Sequence, residues 1–348
     1  MIDAPSSSAT LSDLIKAQAL GLGFDLVGIA RTGPVESAAH FDHWLERGYA
    51  GTMKYLARYV DVRHDSRLPF ERAESAIVVA LDYGGRQASG PIARYARGDD
   101  YHDVMREMLD RLHQWIEERL GRAVRARPYV DTGPILERDL ARKAGLGWFG
   151  KNTNLINPER GSFFFLGALL AELALEPDTP FEADRCGTCT RCIEACPTQA
   201  ITEPRSLDAT RCISYLTIEL RDVIPVELRE PMGSLLYGCD VCQDVCPYNV
   251  KFSSELQVER FAARGTLDSS DARAIARHLL ELTPDTYAEE FRGSPMKRAK
   301  LRGLQRNAAV VLGNIGAAAD TQLLRSQQDD LVREHAEWAI EQIAARES

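Results

Sequence analysis

The chain reads as an α+β protein in three successive regions, and three observations predict it. Helical and extended patterns alternate through residues 1–178, all eight cysteines lie between Cys186 and Cys246 inside 179–255, and apolar residues recur at helical spacing through most of 256–348. With 348 residues, 45% of them hydrophobic and 27% charged, the chain is long enough to bury more than one core and has no composition of disorder.

In the N-terminal region, Leu11 to Gly21 has helical spacing and Asp25 to Ala30 reads as a short strand. Ala76 to Tyr83 is β-branched and apolar, the pattern of a buried strand, and stops at Gly84-Gly85. Tyr101 to Leu120 sets Val104, Met108, Leu109, Leu112, Trp115 and Ile116 on one face of a helix. Arg125 to Val130, the GWFGKN segment and Ser162 to Leu173 add extended stretches, which together make an N-terminal α/β domain. Pro177 and Pro180 oppose both helix and central strand, so a linker is expected there. In the C-terminal region, a helical stripe holds Leu301, Leu304, Ala308, Val311, Leu312 and Ile315, and another holds Leu331, Val332, His335, Ala339 and Ile340. Paired short helices of this kind suggest HEAT-like repeats, although any helical hairpin shares the pattern.

Charge and hydropathy exclude several classes of function. A net charge of −9 opposes nonspecific coating of nucleic acid, and no apolar run approaches the ~20 residues needed to span a bilayer. Met1 to Thr10 carries Asp3 and no basic residue, unlike an export leader, so a cytoplasmic protein is expected. One local asymmetry stands out: PMKRAKLRGLQR, from Pro295 to Arg306, contains Lys297, Arg298, Lys300, Arg302 and Arg306 with no acid. That run suits either a solvated helix face or a contact to a polyanion.

Thiols in a reducing compartment are ligands more often than disulfides. Cys186, Cys189, Cys192 and Cys196 before Pro197 form CxxCxxCxxxCP, the bacterial ferredoxin pattern in which three thiolates wrap one [4Fe-4S] cube and the fourth reaches the other. Cys239, Cys242 and Cys246 before Pro247 lack one member, which Cys212 supplies. Crossed ligation then gives Cys186, Cys189, Cys192 and Cys246 to one cluster, and Cys196, Cys212, Cys239 and Cys242 to the other. A bacterial-ferredoxin-like, two-cluster domain follows, with a pair of zinc sites as the alternative. Two neighbouring clusters pass single electrons onward, and a catalytic acceptor in the rest of the chain is implied.

Asp131, in YVDTGPILER, stands at a strand end before a Gly-Pro turn and a helix, where a carboxylate can serve as a helix cap or a catalyst. RYARGDDYH crowds polar groups at the head of the long helix, where His102 reads as a surface residue. The Gly-rich GLGWFGKN fits no phosphate-binding fingerprint; its glycines suit core packing or close approach to a flat ligand.

Together, YVDTGPILER, RYARGDDYH, KAGLGWFGKN, GSFFFLG, RCISYLTIEL and YGCDVCQDVCP resemble the epoxyqueuosine reductase family, in order over roughly residues 10–315. The resemblance implies a cobalamin-dependent oxidoreductase with two [4Fe-4S] clusters that converts epoxyqueuosine to queuosine at the wobble position of tRNA anticodons. It makes the N-terminal region a cobalamin-binding catalytic domain and the C-terminal region a tRNA-contacting one. It also makes Asp131 the proton donor, with a pKa raised by burial against the apolar corrin face, and points to Arg58, Tyr95, Asp131, Ser214 and Asp240 as corrinoid contacts. Lys297, Arg298, Lys300 and Arg302 become tRNA backbone contacts. A monomer served by an external low-potential electron donor is expected, with no membrane partner. A reductive dehalogenase, a plain electron carrier and a tRNA-binding scaffold with structural metal are the competing readings.

Overall fold

The computed structural model describes residues 9–348, so the reading of Met1 to Thr10 falls largely outside the described residues. Four strands, β1 (Leu26–Arg31), β2 (Ser75–Asp82), β3 (Ala126–Tyr129) and β4 (Phe164–Ala171), form a sheet in the order β1-β2-β4-β3. Every neighbouring pair is antiparallel, which corrects the α/β expectation for this region: it is itself α+β. The continuous apolar run of β2 arises because the strand is buried along its whole length, helices covering both faces.

Alternation along β2 sorts its side chains between two cores. Ile77, Val79 and Leu81 pack with helix α1 (Leu11–Gly21) and helix α2 (Tyr101–Leu120), through Ile15, Met105, Leu109 and Leu112. The smaller Ala76, Val78 and Ala80 face helix α3 (Glu137–Lys143) through Leu140 and Ala141. Contact on that side is close: a Cβ on Gly28 of β1 would lie 2.1 Å from the Ala144 carbonyl oxygen. Glycine is what lets the chain after α3 settle on the sheet.

The segment read as a linker is docked rather than free. Ile29 donates its N–H to Asp178 Oδ2 at 2.8 Å, the Asp178 N–H returns to the Ile29 carbonyl, and Lys16 pairs with Asp178 at 2.7 Å. Beyond it the cysteine-bearing region is built from turns, short helical turns, a two-stranded hairpin (Ile201–Glu203 with Ser206–Leu207), helix α4 (Ile213–Ile218) and the helix Pro247–Phe252. Three longer helices then pack together: α5 (Ala272–Glu281), α6 (Lys300–Ile315) and α7 (Asp330–Glu347). Their core holds Leu279, Leu304, Ala308, Val311 and Ala339, while Ile315, assigned to the buried stripe by periodicity, is 40% exposed at the end of α6.

Arg306, counted with the basic run, is buried against the cysteine-bearing region. Its guanidinium donates to the carbonyls of Leu216, Leu220 and Asp222, and burial pushes its pKa down to about 9. Arg306→Ala should lower unfolding stability by roughly 3 kcal/mol, because three buried carbonyls lose charged donors. Thermal unfolding of the variant checks this, and an unchanged midpoint would refute it.

Candidate active site and cluster ligands

A cavity of about 1200 Å³ opens where the three regions meet. The N-terminal region contributes Tyr95, His102, Asp131 and Glu137 to its wall, the cysteine-bearing region Cys212 and Ser214, and the C-terminal region Lys297, Arg298 and Lys300.

Asp131 follows β3 with φ 57°, a left-handed conformation that a non-glycine residue adopts at a cost and that Asp tolerates better than most. The helix after it, α3, is N-capped by Leu136 without any side-chain bond, so Asp131 is not a cap. Its strained turn aims the carboxylate at the cavity, where the side chain is 66% exposed.

His102 is the partner that sequence reading left on the surface. In the first turn of α2, its Nδ1 lies 2.6 Å from Asp100 Oδ1 and its Nε2 lies 3.4 Å from Asp131 Oδ2, with the ring stacked on Tyr101 at 4.1 Å. Burial pushes the imidazole pKa down, but the two carboxylates outweigh it and raise it to about 9. For Asp131, crowding by surrounding protein pushes the carboxyl up, and its pairing with His102 brings it below the usual carboxylate range. The rise expected of Asp131 rests on burial against a corrin face, and the protein's own groups work in the opposite direction. At neutral pH the pair holds one proton, on His102, with Asp131 ionised beside it.

Glu137 escapes the sequence reading as well. It stands at the first position of α3, where an acid is ordinarily explained by the helix dipole, and that ordinary reading hides it. Its Oε1 is buried with no hydrogen-bond partner, as is Nε of the nearby cavity residue Arg63. Burial, reinforced by the charge of Asp131, pushes the Glu137 carboxyl up to about 8.

The other residues named from sequence divide. Tyr95 and Ser214 line the cavity, as do Lys297, Arg298 and Lys300. Arg58 is exposed and is not among the wall residues. Asp240 is buried and turned to Arg94, accepting from its backbone N–H at 2.9 Å and from Nη1 at 3.0 Å, which ties the cysteine loop to the N-terminal region. Arg302 pairs with Asp329 at 2.7 Å, off the wall. Arg298 pairs with Glu219 at 2.8 Å and lies 5.4 Å over the ring of Tyr55.

All eight cysteines are free thiols, and their mutual proximity sorts them. Cys192 feels the charges of Cys186, Cys246 and Cys189, and Cys246 those of Cys186 and Cys189. Cys239 has Cys212 and Cys196 as its thiol neighbours, and Cys242 has Cys239 and Cys212 ahead of Cys192, which lies across the gap between the two groups. Among the described residues no three His, Cys, Asp or Glu side chains converge as ligands of a single ion. Ligands of one zinc would each sit about 2.3 Å from it. A [4Fe-4S] cube, each of whose iron corners takes one thiolate from outside, needs no such convergence. Donors already point at the sulfurs: Ala200 N–H to Cys196 Sγ at 3.2 Å and Trp148 Nε1–H to Cys186 Sγ at 3.4 Å. Cys212 and Cys246 each occupy the N-cap of a helix, whereas Cys196 is followed by a turn.

Two family models match: residues 185–249 fit the 4Fe-4S double cluster binding domain, and 63–132 fit "Epoxyqueuosine reductase QueG, DUF1730". An epoxyqueuosine reductase of Cyclobacterium marinum is 41% identical over 303 residues, 85% of this chain and 95% of that protein. The chain belongs to the epoxyqueuosine reductase family. The Escherichia coli epoxyqueuosine reductase is 40% identical over 95% of this chain and 89% of its own length. Among solved structures, a selenomethionine-labelled epoxyqueuosine reductase superposes with TM-score 0.84 at 30% identity, covering 96% of this chain and 90% of that one. An epoxyqueuosine reductase solved with an epoxyqueuosine-modified tRNA-Tyr stem loop gives TM-score 0.82 at 30% identity, with the same coverage. Membership makes this chain an oxidoreductase with a double [4Fe-4S] cluster domain. No helix among the described residues is long and apolar enough to cross a membrane.

Proposed function

We propose that this chain reduces epoxyqueuosine to queuosine in the tRNA anticodon, with a corrinoid in the cavity and electrons relayed through two [4Fe-4S] clusters. The observation that carries the proposal is convergence: the Asp131–His102 pair, the cluster-loop residue Cys212 and the basic turn 297–300 all line one cavity.

The cavity suits a corrinoid. Its volume of about 1200 Å³ is above the ~300–1,000 Å³ typical of small-ligand pockets, and Trp44, Met53, Leu56, Tyr95 and Tyr237 give it a largely apolar and aromatic wall. Tyr95 and Ser214 would hold the macrocycle, and the orphaned Arg63 Nε offers a donor to its peripheral amides. When bound, the corrinoid supplies a strongly nucleophilic reduced metal centre. Arg58 and Asp240 are poorer contacts, the first lying off the wall and the second engaged by Arg94.

Removing the epoxide oxygen as water consumes two electrons and two protons. An external low-potential donor supplies the electrons singly. Crossed ligation serves the relay: Cys186, Cys189, Cys192 and Cys246 would hold one cluster, and Cys196, Cys212, Cys239 and Cys242 the second, whose Cys212 borders the cavity. As the epoxide opens, negative charge grows on oxygen, and the Asp131–His102 pair meets it with its proton. Lys297, Arg298 and Lys300 line the cavity, and concentrated cations there would bind the tRNA backbone phosphates whatever the net charge of the chain. On this reading 1–178 is the catalytic region, 179–255 the electron relay and 256–348 a helical tRNA-contacting region of HEAT-like character.

Reversing charge at Lys297 and Arg298 should weaken binding of an anticodon stem loop by tenfold or more and flatten its salt dependence. Titration over a range of salt concentrations checks this, and unchanged affinity would remove the C-terminal region from the interface. The function itself is tested by anaerobic reconstitution with iron, sulfide and cobalamin. A corrinoid absorption band that co-purifies with the chain supports the proposal, and iron–sulfur absorption alone favours a plain electron carrier.

A further inference from the structure

We infer that Glu137 delivers the second of the two protons that the reaction requires, after the Asp131–His102 pair has delivered the first. The inference deepens the proposed function and rests on it.

Balance sets the requirement. In the first step one C–O bond of the epoxide breaks and the oxygen takes a proton, becoming a hydroxyl. In the second step the remaining C–O bond breaks, a carbon–carbon double bond forms between the two former epoxide carbons, and that hydroxyl leaves as water, taking another proton. The two electrons come from a one-electron, low-potential donor through the clusters. The Asp131–His102 pair holds a single proton at neutral pH, and once it is spent, a neutral imidazole beside a carboxylate has nothing more to give.

Glu137 is placed to act next. It shares with Asp131 the wall of the main cavity and that of a smaller pocket beside it, which Tyr101 and Arg138 also line. Its buried Oε1 has no hydrogen-bond partner, and the carboxyl's hydrogen bond is to its own backbone N–H rather than to a neighbouring side chain. The charged groups around it are Asp131, Arg138 and Arg63, and burial with the Asp131 charge outweighs the two cations, keeping the carboxyl protonated near pH 7. Other cavity groups are poorer donors. The hydroxyls of Tyr95, Tyr101 and Tyr237 are pushed further up by burial and release protons reluctantly. Lys297 and Lys300 belong to the basic turn, on a different element from the Asp131–Glu137 segment.

The test compares wild type with Glu137→Gln, which keeps shape and removes the proton. In the reconstituted enzyme the variant should lose about 10²-fold or more in kcat, with stem-loop affinity unchanged within about twofold, and should lose the fall in activity near pH 8 while keeping the one near pH 9 that His102 sets. A readout without cofactors accompanies it. Because the folded pKa of about 8 lies above the unfolded 4.5, the wild type loses stability as pH rises between those values, and Gln does not. The Tm advantage of Glu137→Gln over wild type should therefore grow from pH 4.5 to pH 8. Infrared spectroscopy of the wild type should show a protonated buried carboxyl at pH 7, and an ionised Glu137 there overturns the inference even if the variant fails to fold. An active wild type with an equally active Glu137→Gln overturns the inference alone. A wild type inert on epoxyqueuosine overturns the reading beneath it.

Discussion

Asp131→Ala should lose about 10²–10⁴ in kcat on epoxyqueuosine tRNA, the usual contribution of a positioned proton donor, while retaining its iron and corrinoid absorption. Two effects add in that variant. The carboxylate beside the substrate is gone, and His102 loses one of the two acids that raise its pKa to about 9, so less of it is charged at neutral pH. Asp131→Asn separates chemistry from backbone, since Asn accepts the same φ 57° turn yet cannot carry or relay the proton. Both variants should be inactive if the pair supplies the first proton. In the wild type, activity should fall as pH rises through about 9, where His102 deprotonates. A fully active Asp131→Ala would defeat the role.

Cys246→Ala should remove about half of the iron and abolish turnover, because one broken cluster interrupts the relay. The sulfur lies in an apolar pocket with Trp148 and Ile156, and its position at the N-cap of the helix Pro247–Phe252 ties a distant segment to the loop carrying Cys186 and Cys189. Its neighbours define the test: electron paramagnetic resonance of the reduced variant should lose the cluster held by Cys186, Cys189 and Cys192. The matching Cys196→Ala should lose the other. If Cys246→Ala instead depleted the site of Cys212, Cys239 and Cys242, the crossed assignment would be wrong.

Features encoded by local spacing were legible in the sequence. The helix Tyr101–Leu120 has the bounds its periodicity gives, and the cysteine spacing foretold two groups of thiols before any coordinates. Features decided by distant partners were not. Strand polarity was not legible, because β2, covered on both faces, carries the unbroken apolar run that buried parallel strands carry. Pro177 and Pro180 signalled a break in regular structure, but Asp178 binding back to Ile29 is invisible to local pattern. Asp240 has the chemistry of a ligand contact, and only the fold reveals Arg94 against it. The candidate site follows the same division. Asp131 could be named from its motif, whereas its lowered pKa depends on His102, which lies on a different element. Glu137 sits in the same motif, and its importance appears only once a buried, unpartnered oxygen is found.

The central claim is that one cavity unites a proton-donating pair, a two-cluster relay and a tRNA-binding rim. The most direct test incubates the anaerobically reconstituted chain with cobalamin, a strong reductant and tRNA bearing epoxyqueuosine, then measures the modified nucleoside by mass spectrometry. The account predicts a nucleoside lighter by one oxygen atom, formed only when clusters, corrinoid and Asp131 are all present. Unaltered epoxyqueuosine after incubation with the fully loaded wild type, or conversion that proceeds without the corrinoid, would contradict it.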